Sequence, residues 1–291
     1  MMYDLLIAPF AEFQFMRAAL AGCLALAFAA TPVGLFLLLR RMSLMGDVMS
    51  HAVLPGAAIG YLLYGLSLGA MSVGGIVAGL LVALASGFVA RSSALREDAS
   101  LAAFYLLSMA AGVLIISVRG RNVDLLHVLF GNVLALDSTT LCVIAAISTF
   151  TLFALALLWR ALIAECHDSE FLRRVSRTSA LAHYGFLALV TLNLIGSFHA
   201  LGTLMAVGIM ILPSAAARLC CKHLPAMVAV SVLFAIAGSV AGLLLSFHAN
   251  LPAGPAIICA LGAIYLLALI AAPNGIFGAR LRRLFSPHLE H

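Results

Sequence analysis

An aspartate and a histidine four positions apart are the residues of this chain whose types and spacing best fit metal binding. Of the eleven acidic residues, only Asp47 falls clearly inside an apolar segment long enough to cross a membrane, and His51 follows it. In a helix, side chains at positions i and i+4 share a face, with Cβ atoms about 6 Å apart. A carboxylate and an imidazole so placed can bind one Zn²⁺, Mn²⁺ or Fe²⁺ ion. The alternative without metal is that Asp47 pairs with Arg40 or Arg41, while His51 makes one structural hydrogen bond.

Two ligands do not complete a metal site, and other histidines could extend it. His199 and His248 end two apolar runs on the same predicted side of the membrane, where they could pass a cation inward. His127 lies in a further segment on that side, and Asn193 is a weaker oxygen ligand. Each of these histidines fits equally an interfacial side chain satisfied by backbone or water. The sequence assigns no role to the remaining histidines, which are His167, His183, His223 and His288, and residues 289–291 resemble the start of a polyhistidine tag.

The elements that must position these residues are transmembrane helices. Hydrophobic residues make up 64% of the 291 residues and charged residues only 9%, whereas soluble domains carry roughly 25% charged residues. Crossing the hydrocarbon takes about 20 residues, so the whole chain, 1–291, is expected to be one all-α transmembrane domain of eight or nine spans. The nine candidate spans are 14–39, 48–66, 70–90, 100–118, 138–159, 181–199, 201–219, 225–247 and 253–272.

The basic residues predict the orientation of these spans. A cytoplasmic C-terminus places thirteen of the sixteen Lys and Arg residues inside and leaves Arg17, Arg119 and Arg121 outside. Cytoplasmic loops carry an excess of Lys and Arg, so the N-terminus is predicted outside and the C-terminus inside. Because the arginines lie at span ends and form no stripe, the net charge of +5 does not indicate nucleic-acid binding.

Two segments do not fit a plain bundle. The run 123–135 is too short to span and predicts a re-entrant or interfacial helix at the outer mouth. The polar run 165–178 is predicted in the cytoplasm, where a short helix could present charges to a partner protein; an ordinary solvated loop is the alternative. The charged residues of that candidate docking segment are Asp168, Glu170, Arg173, Arg174 and Arg177.

Motifs for catalysis by this polypeptide are missing. Lys222, the only lysine, does not follow a glycine-rich loop, so the chain lacks a P-loop for ATP hydrolysis. No zinc-protease HExxH motif is found. We therefore expect a non-enzymatic membrane protein with no permanently bound cofactor.

Four runs resemble the membrane permeases of the metal-uptake family of ABC transporters, which import zinc, manganese or iron in bacteria. They are RRMSLMGDVMSHAVLPGAAIGYLL (40–63), HVLFGNVLA (127–135), SFHALGTLMAVGIMILPSAAARL (197–219) and PAGPAIICALGAIYLLAL (252–269). The resemblance covers about 14–272, and its GDxxSHxxxPG segment is quite specific. The His-Ala-Leu-Gly-Thr run is most similar to zinc or manganese importers.

This resemblance implies a permease of the bacterial inner membrane that acts as a homodimer. It implies two cytoplasmic ATPase subunits, a periplasmic metal-binding protein and Zn²⁺, then Mn²⁺, as the transported ion. It also implies that Asp47 and His51 line the path and that 165–178 is the coupling segment gripped by the ATPase. Alternatives are a proton-coupled secondary carrier, a permease for a metal chelate, and a structural subunit without an ion path.

Overall fold

The computed structural model describes residues 7–65, 67–92, 97–118, 136–167 and 178–275. These ranges are helical and hold no strand, which confirms the predicted all-α class. The helices are α1 (Ala8–Glu12), α2 (Gln14–Leu39), α3 (Met45–Ala52), α4 (Leu54–Tyr64), α5 (Leu68–Ser92), α6 (Glu97–Val118), α7 (Ser138–His167), α8 (Thr178–Leu201), α9 (Thr203–Cys220), α10 (Leu224–Ala249) and α11 (Ala253–Ala271).

Seven helices within these ranges are long and apolar enough to cross a membrane: α2, α5, α7, α8, α9, α10 and α11. The transmembrane bundle is thus confirmed, but the expected eight or nine spans are slightly too many for the described part of the chain. One predicted span, 48–66, is divided between α3 and α4. Another, 100–118, lies in α6, whose apolar stretch Ala99–Gly112 is shorter than a span.

The division of the predicted span 48–66 follows from Pro55. Val53 alone separates α3 from α4, and Pro55 occupies the second position of α4. Proline lacks an N–H and its ring clashes with the carbonyl four residues earlier, whereas the first turn of a helix tolerates it. Pro55 therefore begins a new helix instead of continuing α3.

Arginines mark one end of the bundle. Arg91, near the end of α5, donates to Ser179 O at 3.3 Å and to Ser179 Oγ at 2.9 Å, at the start of α8. Arg218, in the last turn of α9, donates to Leu38 O of α2 at 3.2 Å. We call this the arginine end. At the opposite end the rings of Phe13, before α2, and Phe247, in the last turn of α10, are 5.3 Å apart.

Buried side chains form two apolar clusters in the described part of the chain. One joins α2, α3, α7 and α8 around Phe36, Met49 and Phe186. The other joins α2, α9 and α11 around Leu26, Ile209 and Leu261. Large apolar side chains also cover the outside of the bundle, as on α7, where Leu157 is 77% exposed. Such an outer surface suits lipid, which is as apolar as leucine.

Glycines bring α4 and α5 into backbone contact. A Cβ on Gly74 of α5 would lie only 2.2 Å from Gly56 O of α4, and a Cβ on Gly56 would meet Gly74 O equally closely. Neither carbonyl is the end of a flexible side chain, so neither can move without moving its helix. The lack of side chains at Gly56 and Gly74 therefore lets α4, the helix that follows the candidate metal pair, pack closely against α5.

We expect Gly74→Ala to lower the free energy of unfolding by about 1–3 kcal/mol, the usual cost of overpacking a tight contact. Thermal unfolding of the detergent-solubilised chain would measure it. Gly69→Ala is the matched control on the same helix, because a Cβ there meets nothing within 4 Å. Equal melting temperatures for the two variants would contradict the close contact.

Candidate metal site

A tight turn at the end of α2 sets the start of α3. Arg41 has φ +61°, the left-handed conformation, and its N–H donates to Leu38 O at 3.2 Å. The N–H of Met42 donates to Leu37 O at 2.9 Å. This is the Schellman pattern, in which glycine usually takes the left-handed position. The turn reverses the chain direction, and α3 packs beside α6, α8 and α9.

The two faces of α3 differ in character. Met45 and Met49 are buried, and Gly46 lies against α9, where an added Cβ would be 3.2 Å from side-chain carbons of Val207 and Met210. On the other face Asp47 is exposed and His51 is half-buried. Asp47 therefore lies on an open side of α3, whereas His51 is partly covered.

One stripe of α6 supports the break after α3. The ring of Tyr105 lies 5.7 Å from the ring of His51, and Ser108 Oγ donates to Ala52 O at 2.9 Å. One turn further on, a Cβ on Gly112 would lie 3.1 Å from the Pro55 nitrogen. The last carbonyls of a helix lack partners within it, and Ser108 supplies one at Ala52. These residues at helical spacing explain how a broken helix is tolerated inside an apolar bundle.

Asp47 and His51 can offer a metal ion one oxygen and one nitrogen ligand. Within the described ranges, Asp47 has no ion pair, and no three His, Cys, Asp or Glu residues form a group that could hold a metal ion. The alternative pairing with Arg40 is wrong, because the Arg40 guanidinium lies 3.5 Å from Glu165 Oε1. One chain thus supplies part of a coordination shell on an open face.

The other predicted ligands lie elsewhere. His199 belongs to the last turn of α8, eight residues after Thr191, or about 12 Å along the helix; nothing is described of its side chain. His248 is exposed in the last turn of α10, beside Phe247. Both helices end opposite the arginine end. His127 lies outside the described residues.

The Asn193 side chain lies in the interior of the bundle. Its Nδ2 donates to Thr151 Oγ1 at 2.8 Å and to Leu189 O at 2.9 Å. The side chain is buried, and it joins α8 to α7. Both hydrogen bonds use the amide nitrogen, so the role of the Asn193 oxygen as a weak ligand stays a prediction.

The predicted docking residues also fall outside the described part of the chain. They are Asp168, Glu170, Arg173, Arg174 and Arg177, all in the gap between α7 and α8. The flanks of that gap are described, and they correct one expectation. Glu165 lies in the last turn of the membrane helix α7, and its side chain is only 3% exposed. The sequence had predicted that this residue begins the solvated polar stretch.

Sequence reasoning missed the residues that surround α3 and the arginine end. Tyr105 and Ser108 stand out only as polar groups at helical spacing in an apolar run. His183, to which no role was assigned, is buried beside Arg40 and Glu165. The available signal was general: polar residues inside membrane helices usually have partners.

A family model described as the ABC 3 transport family matches residues 12–272. The manganese transport system membrane protein MntC of Halalkalibacterium halodurans is 31% identical over 264 residues, covering 90% of this chain and 89% of that protein. The chelated iron transport system membrane protein YfeD of Yersinia pestis is 30% identical, covering 93% of this chain and 89% of that protein.

A solved structure shares the architecture. The structure described as PsaBC from Streptococcus pneumoniae in complex with Fab contains a chain with a TM-score of 0.80 and 30% sequence identity. The match covers 98% of this chain and all of that chain. The fold and the sequence therefore lead to the same family.

We expect Ser108→Ala to lower the free energy of unfolding by about 1–3 kcal/mol, because a buried acceptor at the helix break loses its donor. Chemical unfolding in mixed micelles would measure this change. Ser92→Ala is the matched control, since the Ser92 hydroxyl is exposed and donates within its own helix to Phe88 O. A loss no larger than that of the control would show that the break does not depend on Ser108.

Proposed function

The chain belongs to the ABC 3 transport family and is a membrane permease of the metal-uptake ABC type; from this premise we propose that it carries a divalent metal ion, Mn²⁺ foremost, into the cytoplasm. The observation that carries the proposal is the Asp47/His51 pair on the open face of α3. A carboxylate oxygen and an imidazole nitrogen suit first-row divalent ions. An exposed pair without a full coordination shell suits an ion that binds and leaves.

The choice of metal rests on the relatives. Those reported above are named for manganese or chelated iron. The preference for Zn²⁺ drawn from the sequence has no support among them and stays a prediction. Mn²⁺ accepts oxygen ligands readily and Zn²⁺ prefers nitrogen and sulfur, so one Asp and one His do not separate the two ions.

A homodimer would complete the coordination shell. Two-fold symmetry brings the same patch of both subunits together. If the open faces of two α3 helices meet, two Asp47 carboxylates and two His51 imidazoles surround one ion. The cost of a carboxylate at membrane depth also favours such a covered position over contact with lipid.

The remaining machinery is proposed to lie in partner proteins. Two cytoplasmic ATPase subunits would hydrolyse ATP, because this permease lacks a P-loop, and a periplasmic binding protein would deliver the ion. The orientation follows the arginines, with the arginine end and the C-terminus in the cytoplasm and the N-terminus outside. His199 and His248 then lie toward the entry side, and residues 168–177 lie toward the ATPase.

The proposed transport cycle is alternating access. The ion passes His199 or His248 and binds transiently between the Asp47/His51 pairs. Closure of the ATPase subunits moves the coupling segment and opens the path inward. In the rival, a proton-coupled carrier, Asp47 would relay protons, and uptake would continue without any ATPase.

We expect Asp47→Asn to reduce metal accumulation at least roughly tenfold, since even changes beside ligands cost 10- to 100-fold in metal binding. Cells expressing the chain with its ATPase and binding protein would be assayed for manganese, iron, zinc and nickel at matched membrane abundance. The metal that accumulates in wild type names the cargo.

Asp137→Asn is the matched control for this charge loss. Asp137 lies before α7, where hydrogen bonds from Thr140 lower the pKa of its carboxyl, and asparagine caps a helix equally well. Accumulation by Asp47→Asn equal to that of Asp137→Asn would make Asp47 structural. Wild-type uptake without the ATPase would favour the proton-coupled carrier, and uptake of a chelate alone would favour the chelate permease.

A second expectation concerns the docking segment. Reversing two charges, Arg173→Glu with Arg174→Glu, should weaken binding of the ATPase at least roughly tenfold, because removing one side of a buried charged contact costs about 2–5 kcal/mol. Co-purification of the ATPase with the tagged permease would measure it. Arg160→Glu, at an exposed position of α7, is the control. Undiminished co-purification of the double variant would place the docking surface elsewhere.

A further inference from the structure

A buried triad of Arg40, Glu165 and His183 joins three helices at the arginine end. Arg40 Nη2 donates to His183 Nδ1 at 2.7 Å and lies 3.5 Å from Glu165 Oε1. The His183 Nδ1 atom lies 3.7 Å from the same carboxylate oxygen. The three side chains are 7%, 3% and 2% exposed. They come from the end of α2, the end of α7 and the first turns of α8.

The geometry fixes the protonation of His183. A guanidinium donates hydrogen bonds and accepts none, so His183 Nδ1 accepts from Arg40 and the ring proton sits on Nε2. Glu165 supplies a negative charge that faces the guanidinium of Arg40. Arg40 is thus the central member of the group, because its guanidinium contacts both His183 and Glu165.

A cluster of aromatic side chains packs against the triad. The Arg40 guanidinium lies 5.0 Å from the centre of the Phe186 ring. The Phe36 ring packs against Trp159 at 5.4 Å and against Phe186 at 6.3 Å, both edge to face. These rings come from α2, α7 and α8, the same helices that supply the triad. The polar contacts of the triad and the packing of these rings together fix the rotation of the three helix ends.

Two connections run from the triad to the metal pair. Arg40 is the last residue before the left-handed turn at Arg41, and α3 begins four residues after that turn. On α8, Thr191 follows His183 by eight residues, about 12 Å along the axis. The Thr191 hydroxyl donates to Leu187 O of its own helix at 2.9 Å, and its oxygen is in contact with the sulfur of Met49 at 3.8 Å. Met49 lies between Asp47 and His51, so α3 contacts the triad through its own start and through α8.

We propose that the Arg40–Glu165–His183 triad is the joint through which displacement of the α7 and α8 ends reaches the metal pair on α3. Glu165 and His183 flank residues 168–177 in sequence, and Arg40 leads into α3. A push on the ends of α7 and α8 thus moves Arg40 as part of the same rigid group. The three residues are positioning residues, which act on the transported ion only through α3.

Apolar packing alone would not perform this task as well. Replacing a buried ion pair by apolar side chains is often neutral for stability, but apolar contacts are not directional and allow helices to slide or rotate. A hydrogen bond to one ring nitrogen and a charge pair to one carboxylate oxygen tolerate little rotation. The triad should therefore affect coupling more than folding.

This inference rests on the proposed function, because it requires an ATPase that acts on the segment between α7 and α8. The experiment uses the complete complex of permease, ATPase and binding protein in proteoliposomes. Mn²⁺ uptake and ATP hydrolysis are measured in the same vesicles. Failure of wild type to bind the ATPase or to take up the ion would overturn the proposed function itself.

With a functional wild type, Glu165→Gln and His183→Leu should lower the amount of Mn²⁺ transported per ATP hydrolysed. The expected loss is roughly 5- to 150-fold, the usual range of coupling between sites. ATPase co-purification and basal ATP hydrolysis should stay at wild-type levels. His183→Asn should restore coupling, because its amide oxygen offers an acceptor near the position of Nδ1, and this rescue would not be expected of a residue that only fills space.

A gentler pair of variants covers the case in which loss of a buried charge prevents folding. A Cβ on Gly87 of α5 would lie 3.0 Å from His183 Nε2 and 2.7 Å from Leu187 Cδ1, so Gly87→Ala displaces the imidazole while keeping all three polar groups. Gly185→Ala is its control, since that Cβ meets only Leu158 Cδ1, at 3.1 Å. Gly87→Ala should uncouple uptake from hydrolysis, and Gly185→Ala should not.

The result that overturns the inference is an unchanged ratio of Mn²⁺ to ATP in Gly87→Ala and His183→Leu, with wild type active. A parallel loss of ATPase binding and basal hydrolysis in these variants would overturn it as well, because the triad would then only maintain the fold of the docking surface.

Discussion

Placing charge among apolar helices is costly, and much of this structure follows from how the described helices meet that cost. Arg40 and Glu165 neutralise each other, and His183 completes the contact as a neutral ring. Arg91 and Arg218 donate to a hydroxyl and to carbonyls at neighbouring helix ends. These solutions fix which helix ends meet at the arginine end. Asp47 is the exception, since its carboxylate stands on an open face of α3.

The exception depends on a helix that cannot be continuous. Pro55 has no N–H to donate to the carbonyl of His51, four residues earlier, and at the neighbouring carbonyl of Ala52 the hydroxyl of Ser108 donates from another helix. Close contact of Gly56 with Gly74 then holds α4 in place. The metal pair therefore sits on a short helix bounded by a left-handed turn and a proline break. Such an element can shift as a unit with few bonds to break, which suits a site that must release its ion.

Composition and periodicity were sufficient to predict the fold class, because a membrane helix needs only length and apolarity. For the described part of the chain the number of spans was overestimated, since hydropathy does not register a break at one proline inside an apolar run. Asp47 could be singled out because an acidic residue in such a run is rare. The partners of Arg40 could not be predicted from the sequence, because Glu165 and His183 lie 125 and 143 positions away. Only the packing of α2, α7 and α8 brings them together. The support of α3 by Tyr105 and Ser108 was hidden for the same reason.

The Arg40–Glu165–His183 triad and the Asp47/His51 pair differ in their surroundings, and this difference fits different roles. In the triad, the Arg40 guanidinium contacts His183 and Glu165, and the Phe186 ring packs against it. A group with such complementary partners holds one geometry and transmits displacement. The Asp47/His51 pair is open, with ligands from one helix only. A site with a full coordination shell inside one chain would hold a divalent ion tightly, and release would be slow. In the proposed homodimer the shell would be divided between two copies, so that a relative movement of the subunits would assemble the site and then dismantle it. A rigid joint at the arginine end and an incomplete ligand pair on the open face of α3 are therefore complementary requirements of the proposed mechanism, in which a displacement must reach α3 and the ion must then leave.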